Sequence, residues 1–293
     1  MEPYHINSAI AALGYAIAAI CSKRALGHGA GVLRVSFIMN WAFVPVFGCL
    51  LFSNVSEVPY SLLQYPVLAG GLFFLGQLFT FAAIRFGDVS LQTPVMGTKA
   101  VFVVIIAVLL GTEVVSLPMA TAAVVAMLGV ALLCFSGDGA ERVGRTLGLA
   151  LLSSFFFACS DTMVGYHAGA FGVPMFLFLA ILTNALLSFA LIPFFRDPLQ
   201  QMPAPAWPWI TLACLIMAGQ ALLLNYSLGH YQNVAAINVI YSTRGLWSVV
   251  LGAISLRLMV SSRFPSVPRR ILYLRMAGAL LMCLAIVILF YPF

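Results

Sequence analysis

Residues 94–101 read Pro-Val-Met-Gly-Thr-Lys-Ala-Val, and residues 239–246 read Val-Ile-Tyr-Ser-Thr-Arg-Gly-Leu. Both segments lie inside long apolar runs, and each sets a threonine and then a base at the same point. Thr98-Lys99 thus recurs as Thr243-Arg244, 145 positions on. Two other pairs keep nearly that spacing. Gly76-Gln77 recurs as Gly219-Gln220 after 143 positions, and Asn40 as Asn184 after 144. A near-constant offset marks a duplicated unit. A polar residue in a lipid-buried helix costs free energy unless it meets a partner or a water-filled cavity. Three such pairs in register predict one binding site lined by both units, as in secondary transporters built from internal repeats.

Composition supports a membrane setting. Hydrophobic residues make up 63% of the chain and charged residues 8%, against about 25% charged in a soluble domain. Mean hydropathy is +1.08. The apolar runs are about 20 residues long, the length of a membrane-crossing helix, and they lack the short alternation of barrel strands. The chain reads as an all-α polytopic membrane protein of about ten transmembrane helices. The expected spans are roughly 6–26, 31–53, 62–84, 88–112, 116–136, 146–167, 172–195, 207–229, 233–257 and 272–292. Loops this short leave no room for a soluble catalytic domain. No GxxxxGK[ST] motif occurs, which argues against ATP-driven transport by this chain alone. No basic segment precedes the first apolar run, so no cleaved signal peptide is expected.

Charge sets an expected orientation. Apart from Lys99 and Arg244, the bases are Lys23, Arg24, Arg34, Arg85, Arg142, Arg145, Arg196, Arg257, Arg263, Arg269, Arg270 and Arg275. All fall in the connections 1–2, 3–4, 5–6, 7–8 and 9–10 or at adjoining span ends. The positive-inside rule makes that face cytoplasmic and puts both termini outside. The expected location is a bacterial inner (plasma) membrane. Trp207 and Trp209 read as interfacial anchors.

The polar stretch 137–145 divides a first five-helix repeat, residues 1–140, from a second, residues 141–293. An odd number of spans per unit sends the second in from the opposite side, so the repeats are inverted. Spans four and nine then carry Lys99 and Arg244, spans three and eight Gln77 and Gln220, and spans two and seven Asn40 and Asn184.

Further residues carry a resemblance. Pro94 lies in span four, Leu109-Leu110-Gly111-Thr112-Glu113 closes it, and Leu128-Gly129-Val130 lies in span five. With ten spans in two inverted halves, the chain resembles the drug/metabolite transporter superfamily, EamA-like branch, over almost its whole length. The second half departs from the pattern, with Val239 at the place of Pro94 and Leu258 at that of Glu113. The resemblance implies the fold and a transport role. The bases of spans four and nine are similar to those with which organophosphate translocators of this superfamily hold phosphate, which implies an anionic substrate.

Arginine grips a carboxylate, sulfonate or phosphate through two parallel hydrogen bonds, and lysine adds a compact charge. Lys99 and Arg244 are therefore expected to clamp an anion. The alternative is a salt bridge with a buried acid, and Asp161 in span six is the acid deep enough to make one. Asp161 could instead couple transport to protons, or bond backbone and hydroxyls such as Ser160 and Thr162. With Asp161 ionised, the buried set still sums to about +1.

Gln92 shares a helix face with Lys99, as Tyr241 and Ser248 do with Arg244, and Asn238 lies one turn above Tyr241. Phe102 aligns with Trp247, as cavity wall or as packing. Gln77, Gln220, Asn40 and Asn184 are either amide donors to substrate or interhelical glue. Thr98 and Thr243 complete the expected substrate-binding set.

The expected function is secondary active transport of a small organic anion, whether phosphorylated, carboxylated or sulfonated. The alternative is export of amino acids or amphipathic metabolites, the bases binding only a carboxylate. The chain is not expected to be an enzyme, to hold a cofactor or metal, or to bind nucleic acid. Its expected partners are the lipid bilayer, the small-molecule substrate, and a coupling proton or counter-substrate. A monomer suffices, since both halves of the site are in one chain. The six cysteines, all in expected spans and without CxxC spacing, read as apolar fillers.

Overall fold

The computed structural model describes residues 2–52, 59–86, 95–110, 116–134 and 140–248, with scattered positions from 250 to 288. Gln92, Pro94, Glu113, Leu258 and most of the tenth expected span lie outside the described residues. Among the described residues every regular element is helical. The helices are α1 (Pro3–Gly27), α2 (Val32–Gly48), α3 (Gln64–Phe86), α4 (Lys99–Leu110), α5 (Leu117–Cys134), α6 (Ala140–Phe171), α7 (Val173–Leu187), α8 (Trp207–Tyr231) and α9 (Val234–Tyr241). Six apolar segments are long enough to cross a membrane: α1, α2 with its 3-10 extension, α3, α6, α7 with its extension, and α8. Met96–Leu110 and Leu117–Gly129 are shorter apolar helices.

Several elements differ from the expected spans. α6 starts inside the polar stretch read as a linker, because Ala140-Glu141-Arg142 are strong helix formers. The span expected at 88–112 is not one regular helix, since a 3-10 turn at Met96–Thr98 precedes α4.

Glycine sets the tight connections. Gly31 (φ 75°) and Gly172 (φ 97°) are the residues just before α2 and α7, in a backbone region that a Cβ disfavours. The α1–α2 turn is then tied across the fold. Buried Arg34 donates to the carbonyls of Gly29 (2.9 Å) and Pro198 (3.2 Å), and lies 3.4 Å from the Asp197 carboxylate. This fastens connection 1–2 to connection 7–8.

Two helix pairs dominate the packing: α1 lies along α8, and α3 along α6. Around them α2 packs on α8 and α7 on α3, α9 on α1 and α4 on α6. Further contacts, among them α2 with α7, α6 with α8 and α4 with α9, join the groups. The core is built from alanines and a few large side chains, among them Phe43, Phe47, Phe176, Leu177, Leu228 and Ile237. Small residues let helix backbones approach closely, which substitutes in lipid for a hydrophobic driving force.

Gly70 and Gly71 test this packing. A Cβ at Gly70 would run into the Ala180 carbonyl oxygen and come within 2.8 Å of Thr183 Cβ, whereas at Gly71 it would meet nothing within 4 Å. Gly70→Ala should destabilise the protein by about 1–3 kcal/mol through overpacking, and Gly71→Ala should be neutral or slightly stabilising. Thermal unfolding midpoints in detergent check this, and equal midpoints for the two variants would contradict the α3–α7 contact.

Candidate functional site

Both expected bases follow a break in helical structure. Lys99 opens α4 directly after the Met96–Thr98 turn. α9 ends at Tyr241, Ser242 and Thr243 form a turn, and helix resumes at Arg244. The threonines serve the backbone at these breaks. Thr98 Oγ1 donates to the Val95 carbonyl and Thr243 Oγ1 to the Ile240 carbonyl, each at 2.7 Å. Such back-bonding bends helices and occupies the hydroxyl locally. The repeated Thr-base pair thus encodes a repeated backbone geometry.

The breaks bring the charges together. Lys99 Nζ donates to Asp161 Oδ2 at 2.6 Å, and the two residues are 5% and 4% exposed. Arg244 is 4% exposed and has no carboxylate within ion-pair distance among the described residues. Its Nη2 donates to the Met96 carbonyl at 2.9 Å, a carbonyl of the opposite helix break. Its guanidinium stacks 4.7 Å from the Tyr15 ring and 4.5 Å from the Tyr241 ring. Lys99 Nζ lies 5.0 Å from the Tyr241 ring as well. Cation–π contacts of this kind contribute about 0.5–2 kcal/mol each, less than the several kcal/mol of removing a charge from water. Tyr241 is itself held, its hydroxyl donating to Gln220 Oε1 at 3.0 Å, while Gln220 Nε2 donates to the Met217 carbonyl at 3.2 Å. Lys99 and Asp161 cancel, so the cluster carries the single positive charge of Arg244.

A cavity of about 200 Å³ opens beside this cluster. At ~30 Å³ per water, it has roughly the room of an amino-acid-sized metabolite. Its inner end is formed by Lys99, Asp161, Tyr241, Arg244, Gln220 and Tyr15, and it extends along α1 and α2 to Lys23 and Val32. Lys23 is exposed, so the cavity reaches the surface beside the α1–α2 turn. The other end of the bundle is packed. There Asn7 donates to Ser227, Asn233 donates to the Tyr4 hydroxyl, and Gly229 abuts Ala168 and Val173.

The cavity gathers Lys99, Arg244, Gln77, Gln220, Tyr241, Asn40 and Asp161 from the expected set. Thr98, Thr243, Ser248, Asn184, Asn238, Phe102 and Trp247 are not on its lining. Ser248 donates to the Arg244 carbonyl and Asn238 to the Val234 carbonyl, each within its own helical segment. Phe102 packs edge-on against Phe155, and Trp247 packs on the apolar core. Asn184 is fully buried. Tyr15 is a site residue that the repeat could not reveal. One signal was present, a tyrosine in mid-span, where interfacial depth is the norm. Among the described residues, no group of three or more His, Cys, Asp or Glu comes together to hold a metal.

Removing one partner of a buried ion pair leaves the other uncompensated, at a cost of about 3–5 kcal/mol. Asp161→Asn should therefore lower the unfolding midpoint strongly, and Lys99→Met/Asp161→Asn should recover part of the loss. A double-mutant cycle on thermal stability measures this coupling. Additive effects of the two substitutions would mean that the pair does not form.

No family model matches the chain, and no curated protein is similar to it by sequence. Among solved structures, one described only as the crystal structure of a protein is 15% identical to it. The similarity covers 97% of this chain and 99% of that one, with a TM-score of 0.69. At that identity the likeness is one of fold.

Proposed function

We propose that this chain is a secondary transporter for a small organic monoanion, or a zwitterion with an anionic head. The observation that carries the reading is Arg244, a buried guanidinium with no carboxylate partner among the described residues, on the wall of a cavity that reaches the surface. A buried cation in that position favours an anion, and the Arg fork suits a carboxylate. The Lys99–Asp161 pair shifts the choice within the anions. A phosphate ester or dicarboxylate would meet one net positive charge, whereas a monoanion would be matched by it.

The architecture we propose is ten helices in two inverted five-helix repeats, similar to the EamA-like branch of the drug/metabolite transporters. The helix pairings support it. Exchanging α1–α4 with α6–α9 turns α1–α8 into α6–α3, α2–α8 into α7–α3, and α9–α1 into α4–α6, and each of these pairs packs together. The positive-φ glycines before α2 and α7 and the helix breaks before Lys99 and Arg244 repeat in the same sense. Broken helices beside the site are what transporters of this kind use to coordinate cargo. The moving bodies would be two interleaved bundles rather than the sequence halves: α1, α2, α8 and α9 against α3, α4, α6 and α7. The mouth lies beside the base-bearing connection 1–2, so by the positive-inside rule this is the state open to the cytoplasm of a bacterial inner membrane.

The test is thermal stability of the purified protein against monocarboxylates, dicarboxylates, phosphate esters, amino acids and amines. Wild type and Arg244→Met are run side by side. A ligand at 100 times its Kd stabilises the folded state by about 2.7 kcal/mol. Monocarboxylates or amino acids should raise the midpoint of wild type and leave Arg244→Met unchanged. Equal stabilisation of both proteins by amines or neutral solutes would sink the anion site.

A further inference from the structure

The cavity lining carries further polar groups beside the Arg244 cluster. Ser36 and Asn40 are four residues apart on α2 and so share a helix face. They are 3% and 0% exposed, and both line the cavity. Among the described residues, neither the Ser36 hydroxyl nor either amide atom of Asn40 has a hydrogen-bond partner. Across the cavity on α3, Gln77 Oε1 is also buried without one. A buried polar atom left unpaired costs about 1–3 kcal/mol. Four such atoms, on residues that line one cavity, leave hydrogen-bonding capacity for a polar group of a ligand.

The character of the region defines that group. Ser36, Asn40 and Gln77 are uncharged and offer both donors and acceptors, which complements a hydroxyl or an amide. A second carboxylate would find no buried base there, since Lys23, the remaining base on the lining, is exposed at the mouth. α2 packs on α7 and α8, so it stands on a different wall from α4 and α9, which bring Lys99 and Tyr241 to the cluster. Met39, Phe43, Phe73 and Phe81 supply an apolar lining nearby.

We infer that Ser36, Asn40 and Gln77 form a neutral hydrogen-bonding subsite, and that the cargo is a monoanion that also carries an uncharged hydroxyl or amide. The inference rests on the transporter reading above and narrows its substrate class.

Three probes of similar length separate the possibilities: succinamate, a carboxylate with a terminal amide; butyrate, with an apolar end; and succinate, with a second charge. Dissociation constants come from the ligand dependence of the unfolding midpoint in wild type, Ser36→Ala, Asn40→Leu and Arg244→Met. Succinamate should bind wild type roughly tenfold more tightly than butyrate or succinate, because a site built to pair a polar group rejects analogues lacking it. In Ser36→Ala and Asn40→Leu the succinamate-to-butyrate ratio should fall towards one with butyrate affinity retained. Arg244→Met should lose all three. Equal binding of succinamate and butyrate by wild type, or an unchanged ratio in the α2 variants, overturns the subsite while leaving the anion site standing. Undiminished binding of butyrate by Arg244→Met overturns the anion site itself. If Asn40→Leu does not fold, Ser36→Ala, which removes one hydroxyl atom, decides the question.

Discussion

The Lys99–Asp161 ion pair is the constraint around which the site is arranged. Two charges buried in an apolar bundle each cost several kcal/mol in lost hydration, and only close pairing offsets that cost. At 2.6 Å the pair joins α4 to α6. It also decides what the other base can do. With Lys99 neutralised, Arg244 is left to balance its charge with aromatic faces, one carbonyl and whatever enters the cavity. The local electrostatics are those of a single cation held between Tyr15 and Tyr241.

The bundle holds this arrangement through close backbone contact more than through large interdigitating side chains. The buried positions of α1 are Ser8, Ala11, Ala12, Ala16, Ala18, Cys21 and Ala25, all small. α3 meets α7 at Gly70, where no Cβ fits. Bulky aromatics such as Phe47 and Phe176 are fully buried outside the cavity lining. This asymmetry, packed at one end and open at the other, fits the transport role proposed above. Arg34 contributes to it by fastening the α1–α2 turn to connection 7–8, so that one lip of the mouth is a tied unit.

Several of the cavity-lining residues are conspicuous in the sequence. Lys99, Arg244, Gln77, Gln220 and Asn40 stand out because polar side chains in apolar spans need a reason, and the cavity brings all five together. Asp161 was legible as the one deep acid, but its role was not, because pairing depends on which helix faces α4. The threonines misled, since a hydroxyl next to a base looks like a ligand until its own backbone is seen to take the hydrogen bond. Phe102 and Trp247 share a repeat position, yet sharing a position does not set which way a ring points. Tyr15 and Ser36 had no repeat partner to draw attention to them.

The amino-acid sequence by itself determined the helical character and, among the described residues, the six apolar helical segments long enough to cross a membrane. These follow from local quantities: run length, hydropathy and the 3.6-residue period. The tertiary structure decided which charge is paired with a carboxylate among the described residues, where the helices break, and where the cavity opens. Those outcomes depend on distances between residues as far apart in the chain as Met96 and Arg244, or Arg34 and Pro198. No local pattern encodes such distances, because they are fixed only when the free energy of burying small residues and charges is satisfied across the whole bundle at once.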